Sequence, residues 1–559
     1  MVEVKKRNST ILYYEEKDIA REFNEYFSSI AVELDGNIPT SNGSFTDYLP
    51  DSVSSSMYVR PVSPEECSEI ISSLKNTKYG IDSVSVPMMK LVKRFICEPI
   101  SNLINLSFSS GIFPENLKKA TITPIYKKGA HNDVGNYRPV SVLPLMSKIF
   151  EKAMSHRLID YVGKFSILSS SQFGFQRGKS TADAILSLTE ELYKSFNEKK
   201  HNISIFIDLK KAFDTVNHSI LLEKLYRYGI RGLPSNWFRS YLADRSHRVK
   251  IGSSFSNYEI VNIGIPQGSI LGPVLFLLYV NDLVRVSDLF TYVLFADDTT
   301  LSASDSDYEA LVNNINRELR KIGRWTIVNR LSLNLDKTYS MLFSNRKCGN
   351  DDIFLDNEVV SRERSVLFLG LTLDNRCCFD LHIDEICKKL SRSIGIMYKI
   401  RSCVTNDVLW NLYYSLLYPN ILYCINVWGG TVDIYTNRLL LLQKRAVRII
   451  TGRDFLAHTD PLFHQTGILK IKDVYAYNCA IYAYKLNASN LLKFPSHDFG
   501  TRNMNLSIPA YQRLSKTQKS ISYSAPYMWN QVPPHIKELP TIQSFKKIFK
   551  NYLVNKYRD

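Results

Sequence analysis

The chain has 559 residues, 45% of them hydrophobic, which is too long for one ordinary core and predicts two or more packed lobes. It has nine scattered cysteines without a CxxC pair, no signal-peptide core at its N-terminus and no apolar stretch long enough to cross a bilayer. These features argue against secreted disulfide scaffolds and membrane proteins, and we expect a soluble intracellular protein, nuclear or cytoplasmic, without a membrane partner.

Positive charge is concentrated in the last third of the chain. The whole sequence carries 70 Lys and Arg against 54 Asp and Glu, a net charge of +16. Residues 375–559 contribute 25 basic and 11 acidic residues, net +14, whereas residues 1–374 contribute net +2. A solvated surface does not require such an imbalance, but a partner with dense phosphate does, so we expect the last third to hold nucleic acid.

The N-terminal region is predicted to contain one helix and a linker. The sequence DIAREFNEYFSSIAV predicts an amphipathic helix over residues 18–32. A connector rich in Gly, Ser, Asn and Pro follows at residues 35–56. We therefore interpret residues 1–59 as a helix and linker that precede the main fold.

A second helix is predicted to begin at Pro64. Ser63 and Glu66 have the spacing of a capping box, and proline is favoured at the first helical position. Gly80 and Asp82 then predict a turn after this helix.

Residues 118–138 alternate basic residues with strand-forming residues and predict a hairpin. Lys127 and Lys128 fall at its turn, where they either face phosphate or form an ordinary exposed basic loop. Arg138 is the better candidate for phosphate, because a guanidinium clamps phosphate oxygens bidentately and Pro139 stiffens the backbone after it.

The segment QFGFQRGKSTADAI, at residues 172–185, is close to a phosphate-binding P-loop but does not match it. Three residues separate Gly174 from Gly178, whereas that motif requires four. An ATPase site is therefore disfavoured. Arg177 and Lys179 remain candidates for contact with nucleic acid.

Residues 263–282, IGIPQGSILGPVLFLLYVND, combine a loop rich in Pro and Gly with an apolar run too short for a membrane span. Gly264 and Gly268 allow a ligand to approach the backbone closely, and Gln267 supplies an amide there. The alternative is an ordinary turn before a core helix.

Two predicted strands end in acidic residues. Residues 203–214, ISIFIDLKKAFD, place Asp208 at the end of an apolar strand, and YVLFADDTTL, at residues 292–301, predicts strand, turn and strand with Asp297 and Asp298 at the bend. The alternative for the second stretch is a solvated hairpin tip. If the strands are neighbours, the three carboxylates need hard cations between them, which indicates two Mg²⁺ ions about 3.5–4 Å apart and displacement at phosphorus.

Together and in this order, these motifs resemble the reverse transcriptases of non-LTR retrotransposons of the Jockey/CR1-like group. Three further segments add to the resemblance. NYRPVSVL, at residues 136–143, resembles the fingers motif that contacts the incoming nucleotide, and LSLNLDKT, at residues 331–338, resembles the palm element that brings a lysine near the triphosphate. VLFLGLTLD, at residues 366–374, resembles the primer-grip hairpin. FADD is a variant of the commoner tyrosine-containing form of the acidic motif.

The resemblance implies that Asp208, Asp297 and Asp298 are catalytic and that the carbonyl of Leu209 joins them around two Mg²⁺ ions, which Mn²⁺ can replace. It also implies a set of residues at the incoming nucleotide: Arg138, Phe213, Gln267 and Lys337. The ring of Phe213 would exclude a 2′-hydroxyl, although Phe213 also fits a plain core position. Lys337 would stabilise or protonate pyrophosphate, with a solvent-exposed lysine as the rival interpretation.

After residue 374 the pattern becomes helical, with apolar residues at three- and four-residue spacing and basic residues opposite them, as expected of a thumb at 375–480. Lys444, Arg445 and Arg448 cluster within just over one helical turn and would line the duplex. In the tail, residues 481–559, aromatic residues among lysines either stack on unpaired bases or form a small helical core with Trp529 as anchor.

We therefore expect an α+β right-hand polymerase: fingers and palm with an antiparallel sheet at 60–374, the core domain being about 108–374, then a helical thumb and a basic helical C-terminal region. The expected reaction is extension of a primer 3′-hydroxyl with dNTPs on an RNA template, with a DNA primer or target. No endonuclease domain precedes the polymerase motifs, so we expect a fragment or truncated copy that relies on a separate endonuclease or an RNA-binding protein of the element.

Two other functions are weighed against this one. A catalytically inactive or domesticated nucleic-acid-binding relic is disfavoured by the intact acids. An RNA-dependent RNA polymerase is disfavoured because Phe213 would block the ribose hydroxyl and PQGS replaces the loop that such enzymes use.

Overall fold

The computed structural model describes residues 2–6, 9–13, 15–41, 43–76, 84–489, 492, 507 and 512–558, and the turn predicted at Gly80 and Asp82 lies outside them. The strands are β1 (Val2–Lys6), β2 (Ser9–Tyr13), β3 (Lys119–Tyr126), β4 (Tyr137–Val142), β5 (His201–Ile207), β6 (Arg245–Ile251), β7 (Ser254–Phe255), β8 (Glu259–Val261), β9 (Thr291–Phe295), β10 (Asp298–Asp305), β11 (Tyr339–Phe343), β12 (Ile353–Leu355), β13 (Glu358–Arg362), β14 (Ser365–Phe368) and β15 (Leu371–Asp374).

The α-helices are α1 (Glu16–Gly36), α2 (Pro64–Ser73), α3 (Val86–Ser110), α4 (Leu145–Lys164), α5 (Thr181–Asn197), α6 (His218–Arg227), α7 (Leu233–Leu242), α8 (Gly272–Val280), α9 (Tyr308–Val328), α10 (Asp380–Ile400), α11 (Asn406–Leu412), α12 (Tyr418–Leu422), α13 (Ile425–Trp428), α14 (Asp433–Ile450), α15 (Asp460–Thr466), α16 (Ile471–Ala488), α17 (Ile521–Asn530), α18 (Pro534–Lys537) and α19 (Ile542–Asn555). Among the described helices, none combines the length and the apolar character that a membrane span requires.

The described chain has the mixed α+β fold that the sequence predicts, built around two sheets. In the large sheet the strand order is β12-β13-β11-β5-β10-β9, and neighbouring strands are antiparallel except β11 and β13. In the small sheet the order is β4-β3-β6-β7, and β8 also pairs with β6. Strand β5 therefore lies inside the large sheet, between β10 and β11.

The sequence of β5, HNISIFI, explains its central position. Ile203, Ile205 and Ile207 alternate along the strand and pack into a first hydrophobic cluster that includes α9. Phe206 lies in a second cluster, where its ring centroid is 5.4 Å from that of Phe368. Because side chains alternate across a strand, the large sheet separates two apolar cores.

The second cluster joins the C-terminal helices to the β14–β15 hairpin and to α5. At the end of this hairpin, the carboxylate of Asp374 accepts the backbone N–H of Phe379 at 2.7 Å and so holds the start of α10. Trp529 is buried, with its ring centroid 6.2 Å from that of Tyr484 and 5.9 Å from that of Phe545. Of the two interpretations of the tail, its described part therefore fits the helical core anchored by Trp529, which is continuous with α16.

Helix α1 crosses the small sheet and is fixed at both ends. Phe23 and Phe27 pack into a third cluster with residues of β3 and β6. Near the N-terminus of α1, the carboxylate of Glu16 accepts a backbone N–H of the β6–β7 turn at 3.0 Å. Near its C-terminus, Asp35 forms an ion pair with Arg330, just after α9, at 2.7 Å. The helix predicted over residues 18–32 is thus longer and bridges the small sheet to α9.

Helix α2 begins where the sequence predicts. The Ser63 hydroxyl accepts the backbone N–H of Glu66 at 3.2 Å, which is one half of the expected capping box. The carboxylate of Glu66 instead pairs with Arg157 of α4 at 2.8 Å. Because the Arg157 side chain is only 2% exposed, leaving it without a counter-ion would be costly, and the ion pair takes precedence over the cap.

A buried ion pair joins α6 to the segment after α8. Lys224 Nζ lies 2.6 Å from Asp282 Oδ1, and both side chains are fully buried. The indole N–H of Trp325 donates to the other carboxylate oxygen at 3.0 Å. We expect Lys224→Met to lower the free energy of unfolding by about 3–5 kcal/mol, because it leaves a buried carboxylate without its counter-ion. Urea unfolding followed by circular dichroism measures the loss.

The matched control removes an exposed ion pair of the same helix. Glu223 and Arg227 lie 3.4 Å apart with both side chains more than 40% exposed. Glu223→Gln should therefore cost at most about 1 kcal/mol. Equal losses in the two variants would contradict the stabilising role assigned to the buried pair.

Candidate active site

Asp297 and Asp298 lie at the turn of the β9–β10 hairpin. Phe295 pairs with Asp298 across the hairpin, so Ala296 and Asp297 form a two-residue turn. Ala296 has a φ of 57°, in the left-handed region that alanine rarely adopts. The buried residues of both strands hold this conformation, and the predicted succession of strand, turn and strand is observed.

The register of the large sheet sets Asp208 beside Asp298. Ile207, the last residue of β5, pairs with Thr299 of β10, and the same register continued by one residue puts Asp208 opposite Asp298. Residues directly opposite in an antiparallel pair have Cα atoms about 4.5–5.5 Å apart. The charges of Asp208 and Asp297 both act on Asp298. The three acids singled out in the sequence therefore lie together at one end of β5.

Ionising all three acids together is unfavourable. Burial of the carboxyl, then the negative charges of Asp297 and Asp208, raise the pKa of Asp298 to about 6. Burial is also the largest cause of the raised pKa of Asp297. The positive charges of Lys127 and Arg138 oppose both shifts. A hard cation, which prefers oxygen ligands, would relieve the remaining repulsion.

Asp208 is held by the segment that follows α9. Asn334 Nδ2 donates to Asp208 Oδ2 at 2.6 Å, and Lys337 Nζ lies 3.8 Å from the same oxygen. Among the described residues, no three His, Cys, Asp or Glu side chains are already arranged to hold a metal ion, and Asp208 is turned toward Asn334. The donor set of three carboxylates fits Mg²⁺ or Mn²⁺ if Asp208 turns toward Asp297 and Asp298.

The backbone at Leu209 also faces the site. Leu209 forms an isolated antiparallel bridge with Leu333, and the hydrogen bonds on either side of it, each 2.8 Å long, join the flanking residues. Leu209 is therefore in a non-hydrogen-bonded pair, whose carbonyl points away from the partner segment. This geometry leaves the Leu209 carbonyl oxygen, next to Asp208 in the chain, unused by that segment.

Two clefts meet at Asp208. The first has a volume of about 1960 Å³, opens to solvent and is also bordered by Asp297. It includes the four residues predicted to bind the nucleotide: Arg138, Phe213, Gln267 and Lys337. The second, of about 1170 Å³, is bordered by Asp298 and the β14–β15 hairpin. A ligand in each cleft would therefore reach the acids from its own side.

Phe213 and Gln267 have partners behind the wall of the first cleft. The ring of Phe213 stacks on that of Phe276 in α8, with centroids 4.6 Å apart, so Phe213 is both a cleft wall and a core residue. Gln267 Nε2 donates to Asp214 Oδ1 at 2.8 Å. The orientation of the Gln267 amide is therefore set by a neighbouring carboxylate.

The basic residues proposed for nucleic acid around the clefts differ in their surroundings. Lys127 and Lys128 are exposed and line the first cleft, and Lys128 lines the second as well. Arg177 is exposed on the loop before α5. The ammonium of Lys179 instead donates to two backbone carbonyls of that loop, at 2.8 and 2.6 Å. Lys179 thus stabilises the loop.

The other predicted basic contacts lie on α14. Lys444, Arg445 and Arg448 are not among the described residues that line the two clefts. Arg445 is exposed, whereas Arg448 Nε donates to the carbonyl of Ala457 at 2.9 Å. Of the three, Arg445 is the most accessible to a ligand.

Gln172, which the sequence alone did not mark as functional, supports the acidic turn. Its Oε1 accepts the backbone N–H groups of Gly174 at 2.9 Å and Ala296 at 3.2 Å. The N–H of Phe173 donates to the carbonyl of Leu294 at 2.7 Å, so this segment runs along the edge of β9. Three further residues at the site were also not predicted: Asn334, Asp214 and Phe175. All four residues lie in motifs that the sequence analysis identified, but the spacing of residues within a motif does not indicate which side chains they contact.

Residues 125–373 match the family model described as reverse transcriptase (RNA-dependent DNA polymerase). They are a reverse transcriptase domain. The domain contains the three aspartates and the four residues predicted to bind the nucleotide.

The chain is also similar to proteins of mobile elements from Drosophila melanogaster. It is 28% identical to a probable RNA-directed DNA polymerase from transposon BS and 27% identical to one from transposon X-element, over 79% and 76% of its length. It is 25% identical, over 76% of its length, to the RNA-directed DNA polymerase from mobile element jockey. The matches cover 50%, 48% and 48% of those proteins, so the chain spans about half their length. The resemblance to reverse transcriptases of Jockey-like elements is confirmed.

A substitution at Gly174 tests how closely residues 172–174 of the reverse transcriptase domain approach the turn at Ala296 and Asp297. A Cβ at Gly174 would lie 2.4 Å from the backbone nitrogen of Ala296 and 3.0 Å from the carbonyl carbon of Phe295. Because backbone atoms cannot rotate away, Gly174→Ala should displace the turn and lower the free energy of unfolding by about 1–3 kcal/mol. Thermal unfolding measures the effect.

Gly163→Ala is the control for this substitution. Gly163 lies in α4, and a Cβ there would have no neighbour within 4 Å. This variant should be neutral or stabilised by up to about 1 kcal/mol, because alanine is the better helix former. If Gly174→Ala has the same melting temperature as the wild type, residues 172–174 do not constrain the turn at Ala296 and Asp297.

Proposed function

We propose that the chain is an RNA-directed DNA polymerase of a non-LTR retrotransposon, which extends a primer 3′-hydroxyl with dNTPs on an RNA template. The strongest support is the cluster of Asp208, Asp297 and Asp298 where two clefts meet. Convergent carboxylates in a reverse transcriptase domain suit phosphoryl transfer, in which catalysis is mostly positioning and charge stabilisation.

The proposal includes a right-hand arrangement of the chain. The large sheet would be the palm and the small sheet with α2 to α4 the fingers, together residues 60–374 with a core at about 108–374. Residues 375–480 would be the thumb and residues 481–559 a nucleic-acid-binding region, with residues 1–59 preceding the fingers. Supporting this division, the acids lie on a mostly antiparallel sheet, the described residues after Asp374 are mostly helical, and residues 375–559 are basic.

The first cleft would hold the incoming dNTP and the second the primer end. Arg138, Lys127 and Lys337 bring positive charge to the first cleft, where a triphosphate would lie. The guanidinium of Arg138 would clamp phosphate oxygens bidentately. Lys337, 3.8 Å from Asp208, is placed to stabilise or protonate the pyrophosphate leaving group. The β14–β15 hairpin, which borders the second cleft, would support the primer.

Asp208, Asp297, Asp298 and the carbonyl of Leu209 would hold two Mg²⁺ ions, or Mn²⁺ in their place. When bound, such ions stabilise the charge on the attacking and leaving oxygens. The protein contributes the fixed positions of the acids, which the pairing of β5 with β10 determines.

Nucleic acid would be held by the exposed basic residues around the clefts and by the basic C-terminal third. The exposed candidates are Lys127, Lys128, Arg177 and Arg445. The partners would be an RNA template and a DNA primer or target, with a separate endonuclease or an RNA-binding protein of the element as further partners. Such binding should weaken with salt, because it depends on phosphate contacts.

Primer extension with Asp297→Asn tests the proposed function. Purified wild-type chain with Mg²⁺ and dNTPs should extend a DNA primer on an RNA template, whereas Asp297→Asn should lose at least about 1000-fold in rate, because it removes a carboxylate that holds metal. Replacing Mg²⁺ by EDTA should abolish extension. If the wild type extends no better than the variant but still binds RNA, the chain is a binding relic.

Phe213→Ala tests selection of the sugar. Removing the ring should raise the efficiency with rNTPs relative to dNTPs by about tenfold or more, because the steric block to the 2′-hydroxyl is lost. The control is Phe175→Ala, which removes an exposed ring from the same cleft and should leave the ratio unchanged. A wild type that prefers rNTPs would indicate an RNA polymerase.

A further inference from the structure

Asp214 is an acid of the same motif as Asp208, but it does not border the first cleft. It lines a separate cavity, which α1 covers on one side. Gln267 lines both this cavity and the first cleft, so its side chain forms part of the wall between them. We infer that Asp214 is a positioning residue that orients the amide of Gln267 at the proposed nucleotide site, an inference that rests on the proposed function.

The backbone of the Gln267 loop is fixed from both sides. Ile265 N–H donates to the carbonyl of Phe213, and Ser141 N–H of β4 donates to the carbonyl of Gln267, each at 2.8 Å. Gly264 has a φ of 92°, and a Cβ there would lie 2.5 Å from the carbonyl oxygen of Asp214. The loop is therefore pressed against the Asp214 segment, and the main freedom left to Gln267 is the rotation of its side chain.

The carboxylate of Asp214 removes that freedom. Burial raises the pKa of Asp214 to about 6, so this group remains mostly ionised at neutral pH and can only accept hydrogen bonds. Because Gln267 Nε2 donates to it at 2.8 Å, the NH₂ of the amide faces Asp214 and the carbonyl oxygen faces away from it. We expect this carbonyl oxygen to present a hydrogen-bond acceptor of fixed orientation to the first cleft, which Gln267 lines.

Lys211 makes an ionised Asp214 tolerable in this position. Its positive charge lowers the pKa of Asp214, while the hydrogen bond from Gln267 acts in the same direction. Lys211 also lies 5.4 Å from the ring of Tyr26 on α1. The carboxylate is therefore compensated by a neighbour, and its hydrogen bond to Gln267 joins it to the first cleft.

A double-mutant cycle in primer extension tests this inference. The variants are Asp214→Asn, which is isosteric and uncharged, Gln267→Ala and the two combined. Steady-state extension on an RNA template gives kcat and KM for dTTP. An amide at position 214 no longer fixes which end of the Gln267 amide it meets, so we expect Asp214→Asn to raise KM about tenfold, with kcat within about twofold of the wild type. Gln267→Ala, which removes the amide itself, should also raise KM about tenfold.

The combination distinguishes a positioning role from an independent one. If Asp214 acts through Gln267, the double variant should have the KM of Gln267→Ala within about twofold. Partial unfolding lowers the amount of active enzyme and hence the apparent kcat, but it leaves KM unchanged, so a merely structural role would not produce this pattern. Asp160→Asn is the matched control, because Asp160 is exposed on α4, pairs with Arg60 at 3.5 Å and lines neither the first cleft nor the cavity beside it. Its KM should equal that of the wild type.

Either of two results would overturn the inference while primer extension by the wild type stands. One is a KM of Asp214→Asn equal to that of the wild type. The other is a double variant whose KM is the product of the two single effects, about 100-fold above the wild type, since independent contributions multiply. A wild-type chain that extends no primer would overturn the proposed function itself, and this inference with it.

Discussion

Repulsion between neighbouring carboxylates is the constraint on which the rest of the structure depends. The pairing of β5 with β10 sets Asp208 opposite Asp298, and like charges directly opposite in a sheet are destabilising. The pairing persists because β5 is buried on both faces. A slip of one residue would move the buried polar side chains of Asn202 and Ser204, which hydrogen-bond to Ser302 of β10, into the first apolar core. Hydrophobic burial thus forces the acids together, and Lys127 and Arg138 supply the nearby positive charge.

The surroundings of the acids are held by contacts between distant segments. Gln172 ties the loop before α5 to the acidic turn, and Asn334 ties the segment after α9 to Asp208. The β14–β15 hairpin, which borders the second cleft, shares its apolar core with the C-terminal helices. The shape of that cleft therefore depends on how these helices pack. A domain boundary placed at residue 374, where the last polymerase motif ends, would divide this continuous hydrophobic core.

The sequence predicted what depends on local pattern. The strand that ends at Asp208, the hairpin at Asp297 and the start of α2 after Ser63 all follow from periodicity, turn residues and capping, which act over a few positions. It did not predict contacts made by tertiary packing. Glu66 meets Arg157, which is 91 residues away, and Gln267 meets Asp214, which is 53 residues away. Residue type suggested that these groups are polar and useful, but only the fold determines their partners.

Helix α1 forms one wall of the first cleft. Tyr26, Ile30 and Leu34 of this helix line the cleft, although they lie outside the reverse transcriptase domain at residues 125–373. The helix also covers apolar residues in and beside the small sheet that belong to the domain, Val134 and Val249. A protein trimmed to the boundaries of the domain would therefore expose a hydrophobic patch to water and lose one wall of the first cleft. If such a truncated protein is poorly soluble, the exposed hydrophobic patch explains the low solubility, and the catalytic centre need not be defective.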